Sequence, residues 1–448
     1  MKKLLFLLAL LQLPSLGYGK SIKKDSPRFD GYIVKIDPTK SKTTIVKNLA
    51  NFGKTEAIEL SIGSFIHLQS NTKSLNPTDT QKIAAIPGVI RIEPNYLLYP
   101  TDHEVPTNPP PYVKDPKFKS QWGLRNNGHN NWRGTPAGVD CSIIEAWKEA
   151  EGAQDIIIAV IDSGIDPTHP DLEQNLWINQ SEKNGEAGVD DDGNGYIDDI
   201  YGWDFANNDA EPLDGLGHGI FTAGVIGATH NEIGVRGVIP NVKLMTLKFL
   251  SDEGPGSSLD AIKGIEYAVK NGAKIINNSW GNYSYTQVLY DMIQYANDHN
   301  VLFVAAAGND GTDNDTKPQY PASYDLPNVI SVGSHSPYDD KEPFSNFGIE
   351  SVDIFAAGFM IMTTAPNHNY LRKSGTSLSA PIVSGALGLL WSKYPELSIE
   401  EIRERLIATS IMNDDYRKHG KGGRLDAYRL LKNTRLHSES NHGHHHHD

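Results

Sequence analysis

The sequence predicts an α/β fold: a doubly wound, mostly parallel sheet with helices on both faces, preceded by a small α+β unit. Three observations carry this. Apolar, β-branched runs recur at residues 156–161, 244–249, 274–278, 301–305 and 329–332, with no polar alternation to leave a face in water. Between them, residues 259–271 and 288–300 carry apolar side chains at helical spacing. Ahead of this block, a proline-rich stretch, Asn108-Pro109-Pro110-Pro111, marks an extended linker after a shorter and differently patterned segment.

In chain order, Met1-Lys2-Lys3 forms a basic start and residues 4–13 an apolar core. Gly17-Tyr18-Gly19 supplies small residues suited to cleavage. The run is too short to span a bilayer and reads as a secretory signal peptide, residues 1–19. Lys20 follows it, not a cysteine, so no lipid anchor is expected. Residues 20–105 contain the α+β unit. Residues 31–36 and 89–92 read as strands, and Thr78 caps a helix over 78–85. Residues 106–114 are the linker and 115–432 the large α/β domain. In the tail, 433–448, five histidines crowd the last seven residues; they read as a metal-binding tract or an expression scar and carry no fold argument.

Composition narrows the function. At 448 residues, 38% hydrophobic and 21% charged, the chain is an ordinary folded protein with room for a large core. Of its net charge of −14, residues 20–105 hold +3 and the leader +2, leaving −19 on residues 106–448. So acidic a domain is a poor partner for nucleic acid or an anionic membrane, and suits cations and a mildly basic docking segment. Cys141 is the sole cysteine, so no internal disulfide can form and bound metal is the expected source of rigidity outside the cell. The thiol itself reads as a packed bystander before an amphipathic stretch.

Three motifs stand where strands meet loops or helices. Val160-Ile161-Asp162-Ser163-Gly164 ends the first strong strand, the edge where open α/β sheets gather functional groups. Gly217-His218-Gly219 opens a small-residue helix over 220–228. Gly375-Thr376-Ser377-Leu378-Ser379-Ala380-Pro381 opens an apolar helix reaching Trp391, with proline in the first turn where no donor is lost. Each alone has a structural explanation; together they supply carboxylate, base and nucleophile for an activated serine. A lipase elbow is excluded, because Ser379 stands where its second glycine belongs. Nucleotide-binding glycine patterns fail at Ile220 and Asn48.

These blocks, in the order Asp, His, Ser, closely resemble the active-site blocks of the subtilase family, and the resemblance covers roughly residues 112–432. Asn277-Asn278-Ser279-Trp280-Gly281, Ala306-Ala307-Gly308-Asn309 and Tyr320-Pro321-Ala322-Ser323 are similar as well. The resemblance implies a subtilisin-like fold and a secreted serine endopeptidase, extracellular or periplasmic and monomeric, acting on protein or peptide substrates through an acyl-enzyme. Ser377 would be the nucleophile, His218 the general base and Asp162 its orienting carboxylate. Asn309 and the backbone N–H of Ser377 would be the oxyanion donors. It further implies that Gly254, Gly256, Ser279, Trp280 and Gly281 line two backbone edges that clamp an extended peptide. The chain departs from the family pattern at Phe221, where a second histidine is usual, at Ile220 in place of a common threonine, and at Leu378-Ser379 in place of Met-Ala.

Calcium is the expected cofactor. From Asp190 to Asp199, oxygen side chains alternate around a glycine at the sixth position, like the front half of an EF-hand loop. Position 12 is Tyr201, not glutamate, so a helix-flanked EF-hand is not expected. The candidate ligands are Asp190, Asp192, Asn194, the Tyr196 carbonyl and Asp199. A second calcium site, implied by the resemblance alone, would use Asp115, Asp171 and Asn231. The resemblance also implies that residues 20–105 are a pro-domain, a folding assistant and transient inhibitor, removed by self-cleavage somewhere between Pro100 and Val113. Two alternatives stay open: a secreted calcium-binding protein of the same fold that has lost activity, and a leading unit that is a separate binding domain.

Overall fold

A computed structural model describes residues 28–72, 74–101, 117–128 and 134–435. The expected signal peptide, the whole linker, Asp115 and the tail beyond residue 435, with all its histidines, lie outside them.

The first unit runs β1 (Phe29–Ile36), α1 (Lys42–Leu49), β2 (Gly53–Leu60), β3 (Gly63–Ser70), α2 (Pro77–Ala84) and β4 (Val89–Pro100). Its strands form an antiparallel sheet in the order β4-β1-β3-β2. Ser41 caps α1 by accepting from the Thr44 N–H, and Asn76 caps α2 ahead of a proline already set for a first turn. The two helices close a small core of Tyr32, Val34, Ile36, Ile45, Leu49, Ile66, Leu68 and Ile83.

The second unit begins with α3 (Ile143–Ala146), β5 (Gly152–Asp162), α4 (Gln180–Asn184), β6 (Gly202–Asp204), α5 (His218–Gly227) and β7 (Asn241–Lys248). It continues through β8 (Gly256–Ser257), α6 (Ser258–Lys270), β9 (Ile275–Asn278), β10 (Trp280–Gly281), α7 (Gln287–Asp298), β11 (Leu302–Ala306) and β12 (Val329–His335). It ends with β13 (Ile354–Ala357), β14 (Ile361–Ala365), β15 (Asn369–Lys373), α8 (Thr376–Lys393), α9 (Ile399–Ala408) and α10 (Ala427–Lys432). Seven strands pair in parallel in the order β13-β12-β11-β9-β5-β7-β6.

Both faces of this sheet are buried. Along β5, Ile158 and Val160 join one core with Ala223, Leu387 and Leu390, while Ala159 and Ile161 join the other with Ile262, Ile265 and Met292. The same division separates Leu302 and Val304 from Phe303 and Ala305 on β11, so α5 and α8 cover one face and α6 and α7 the other. Cys141 is buried in the first core, and burial pushes its thiol up to about 12, so it is an inert packing residue. Among the described residues no helix is long and apolar enough to cross a membrane.

The expected strands and helices are present, with ends shifted by a few residues. The hairpin β14–β15 and the short edge strand β13 were not expected from the sequence, nor was the length of β4. Its first half pairs with β1; its second half leaves the small sheet and reaches the other unit.

Candidate active site

The chain leaves β5 in one direction to build β7 and β6 and in the other to build β9, β11, β12 and β13. The carboxyl end of β5 is therefore the point where strand order reverses, and Asp162 is its last residue. Asp162 is fully buried, and its Oδ1 lies 2.7 Å from Nδ1 of His218. The N–H of Ser163 also donates to that oxygen, at 2.7 Å. His218 is the first residue of α5 and is 1% exposed. The preceding Gly217 has φ 92°, a left-handed turn that aims the helix start back at β5.

Ser377 lies in the first turn of α8, fully buried, after Gly375 at φ 147°. Helices α5 and α8 pack against each other. The Ser377 carbonyl accepts from the Ser279 hydroxyl at 2.9 Å. Asn309 follows β11, and its Oδ1 accepts from both the N–H and the hydroxyl of Thr376, each at 2.9 Å. Those two bonds orient the carboxamide, leaving its Nδ2 to donate to the carbonyl oxygen of Thr101.

Thr101 follows the last residue of β4. Its N–H and hydroxyl both donate to the Ser279 carbonyl, at 3.0 and 2.8 Å. Upstream, β4 lies antiparallel between β8 and β10: Leu97 and Leu98 face Ser257 and Gly256, while Tyr99 and Pro100 face Gly281 and Trp280. The Asn282 carboxamide donates to the Leu97 carbonyl at 2.8 Å, and Leu98, 2% exposed, is buried in the second core with Phe249, Leu259 and Trp280. Of the expected edge residues, Gly256, Ser279, Trp280 and Gly281 meet this strand. Gly254 sits in the turn before β8, at φ 115°, and makes no ladder with it.

Three further contacts fasten the first unit. The Glu93 carboxylate accepts from the N–H groups of Gln287 and Val288 at 3.1 and 3.0 Å, at the start of α7 where Thr286 provides no side-chain cap. Asn95 accepts from the Ser258 hydroxyl and the Leu259 N–H at the start of α6, both at 3.0 Å. The Ser61 N–H donates to Glu266 at 2.6 Å. None of these was anticipated, because a partner 163 to 205 residues away leaves no local signal.

In the acidic loop, carboxylate oxygens of Asp190, Asp192 and Glu182 lie within 4.8 Å of one another. Hard oxygen donors converging in this way suit a calcium ion. Glu182, on α4, was missed by the sequence reading; it also accepts from the N–H groups of Asp191, Asp192 and Asp198. Asn194 donates to Asp192 and Asp199, and its own oxygen accepts from the Tyr196 N–H. Asp199 is placed differently from the other candidates. It is fully buried, accepts from Tyr267, Asn194 and Asn179, and burial pushes it up to about 6.

At the second expected metal site, Asp171 is fully buried and accepts from the Val235 N–H at 3.0 Å. Asn231 donates to the Pro170 carbonyl at 3.1 Å, and the Lys117 N–H donates to Gly234. The loop over 229–235 and Asp171 are therefore neighbours; Asp115 lies outside the described residues.

A model described as the subtilase family matches residues 153–442. Subtilisin-like protease 2 of Plasmodium falciparum (isolate 3D7) is 37% identical over 278 residues, 60% of this chain and 20% of that protein. The chain thus spans about a fifth of that relative. Subtilisin DY of Bacillus licheniformis is 34% identical over 266 residues, 59% of this chain and 87% of that protein. Among solved structures, fervidolysin from Fervidobacterium pennivorans, described as a keratinolytic enzyme related to subtilisin, matches with TM-score 0.67 and 25% identity. That match covers 91% of this chain and 62% of the fervidolysin chain.

Proposed function

The chain belongs to the subtilase family, and from that premise we propose that it is a secreted serine endopeptidase, made as a zymogen that cuts itself between Thr101 and Asp102. The observation that carries the reading is the placement of Thr101. Its carbonyl oxygen accepts from Asn309, its N–H donates to Ser279, and the strand before it lies between the two glycine-containing edges β8 and β10. A substrate residue on the acyl side of a scissile bond needs this set of contacts.

In the proposed mechanism, His218 removes the hydroxyl proton of Ser377 as the oxygen attacks the Thr101 carbonyl carbon. Asp162, bonded to Nδ1, holds the imidazole with its Nε2 as the base and stabilises the imidazolium. Negative charge on the carbonyl oxygen is taken up by Asn309 and the Ser377 N–H. Collapse breaks the C–N bond, and His218 returns the proton to the departing amine of Asp102. Water, activated by the same imidazole, then hydrolyses the ester. The product segment stays in the cleft as an inhibitor, because Glu93 and Asn95 still occupy the helix starts of α7 and α6. Protein substrates later take the place of β4.

Calcium at Glu182, Asp190 and Asp192, with Asn194, the Tyr196 carbonyl and Asp199 around them, would rigidify the loop outside the cell and take no part in bond cleavage. Asp171 and Asn231 with Asp115 form the proposed second site.

The reading is tested by comparing wild type with Ser377→Ala for casein hydrolysis, with and without EGTA. Hydrolysis by wild type alone, shortened in lifetime by EGTA, supports it. A folded wild type that digests nothing favours an inactive calcium-binding protein; equal hydrolysis by the variant overturns the choice of nucleophile.

A further inference from the structure

We infer that Asp214, acting through the Ser163 hydroxyl, is a positioning residue that locks the start of α5 to the end of β5 and so sets the contact between Asp162 and His218. The inference rests on the serine-peptidase reading above and extends it beyond the triad.

Ser163 follows Asp162, and Gly219 follows His218. The Ser163 hydroxyl joins the two segments: it accepts from the Gly219 N–H at 2.8 Å and donates to Asp214 Oδ1 at 2.8 Å. Asp214 Oδ1 also accepts from the N–H groups of Leu216 and Gly217, at 3.0 and 2.6 Å, and Oδ2 accepts from the Ile220 N–H at 2.9 Å. Gly217 offers no side chain to cap the helix, so Ser163 and Asp214 satisfy donors of the first turn that would otherwise be orphaned. With both oxygens accepting, the group acts as a carboxylate, and its charge complements the positive end of α5.

The fit is tight. A Cβ on Gly219 would stand 1.9 Å from the Gly164 carbonyl oxygen, so the helix start presses directly on the turn after Asp162. On the other side of that turn, the Lys248 ammonium donates to the Ser163 carbonyl at 2.7 Å and pairs with Asp252 at 2.6 Å. The segment bearing the catalytic carboxylate is thus held from both sides, and a bond of 2.7 Å joins Asp162 to His218. Displacement of about 1 Å in such a pair can cost ~10²-fold in rate.

Among the described residues, Asp162 from β5 bonds His218 directly and Asp214 bonds the first turn of its helix; the Lys248–Asp252 pair at the end of β7 reaches the Ser163 turn, and the Lys373 ammonium from β15 lies over the Phe221 ring of α5. Burial and the charge of Asp162 raise the Asp214 carboxyl above its ordinary range, against the pull of its donors. Removing the Asp214 charge takes an anion from the neighbourhood of the imidazolium. The pH at which His218 becomes a base therefore falls.

The test uses the full chain in four forms: wild type, Asp214→Asn, Ser163→Ala and Ser163→Thr. The readings are kcat and KM on a peptide substrate from pH 5 to 9, and thermal unfolding of each change in a Ser377→Ala background that cannot cut itself. Asp214→Asn and Ser163→Ala are expected to lower kcat ~10–100-fold, with KM within about twofold. Ser163→Thr, which keeps the hydroxyl, is expected to restore most of the loss. In Asp214→Asn the acidic limb of kcat/KM moves to lower pH. If a variant does not mature, its rate of self-cleavage at each pH is the same reading. An acidic limb that stays in place, or Ser163→Thr as impaired as Ser163→Ala with losses that follow unfolding alone, overturns the inference. An inactive wild type would instead overturn the peptidase reading, so the two failures are distinguishable.

Discussion

The carboxamide nitrogen of Asn309 donates to the carbonyl oxygen of Thr101, a residue 208 positions earlier in the chain. The same carboxamide is oriented by Thr376, the neighbour of Ser377. One side chain thus links the end of the N-terminal unit to the start of the helix bearing the proposed nucleophile. It follows that Asn309→Ala should slow both self-cleavage and peptide hydrolysis by ~10²–10³-fold, chiefly in kcat. Steady-state kinetics and the rate of precursor loss measure this; an unchanged kcat would remove Asn309 from the oxyanion role.

Glu93 predicts how firmly the severed segment holds. Its carboxylate accepts two N–H groups at the start of α7. Losing a cap of this kind costs about 1 kcal/mol, so Glu93→Ala should release the inhibitor roughly fivefold more readily. The lag between self-cleavage and the appearance of casein hydrolysis should shorten accordingly. A lag of wild-type length would mean that β4 alone holds the segment.

Calcium should stabilise the chain through the Glu182, Asp190 and Asp192 cluster. At a calcium concentration 100 times Kd, a site specific to the folded state contributes about 2.7 kcal/mol. In a Ser377→Ala background, EGTA should lower the unfolding temperature, and Glu182→Gln should remove most of the calcium-dependent part. Equal calcium responses with and without Glu182 would place the ion elsewhere.

Glu342 predicts a pH dependence of stability. It is 7% exposed, and burial raises its carboxyl from 4.5 to about 7. A carboxyl raised by folding favours the folded state most below pH 4.5, and this advantage is lost as pH rises through about 7. Glu342→Gln, which does not titrate, should therefore gain on wild type between pH 4.5 and pH 8, by on the order of 2–3 kcal/mol. Denaturant melts at several pH values would show this, and parallel curves would contradict it.

The sequence revealed the parallel sheet because its strands are apolar on both faces, as Ile158 and Ala159 on β5 illustrate. It also singled out Asp162 and His218, which lie at a strand end and a helix start and which the fold brings to 2.7 Å of one another. It did not reveal the second half of β4. Pro94 just before it and Pro100 at its end interrupt the strand pattern, and the partners that extend it, β8 and β10, lie some 160 and 180 residues further along the chain. Glu182 was hidden for a similar reason: it precedes the acidic loop on a five-residue helix and has no spacing of its own to mark it. Asp214 was quoted in no motif, because its work consists of accepting backbone N–H groups that a sequence does not display.

The most direct test of the central claim is the intact mass of both fragments of the matured wild-type chain, with Ser377→Ala alongside. The account predicts one fragment ending at Thr101 and another beginning at Asp102, and an uncut Ser377→Ala chain. Cleavage first occurring at another bond, or at the same bond in Ser377→Ala, would contradict it.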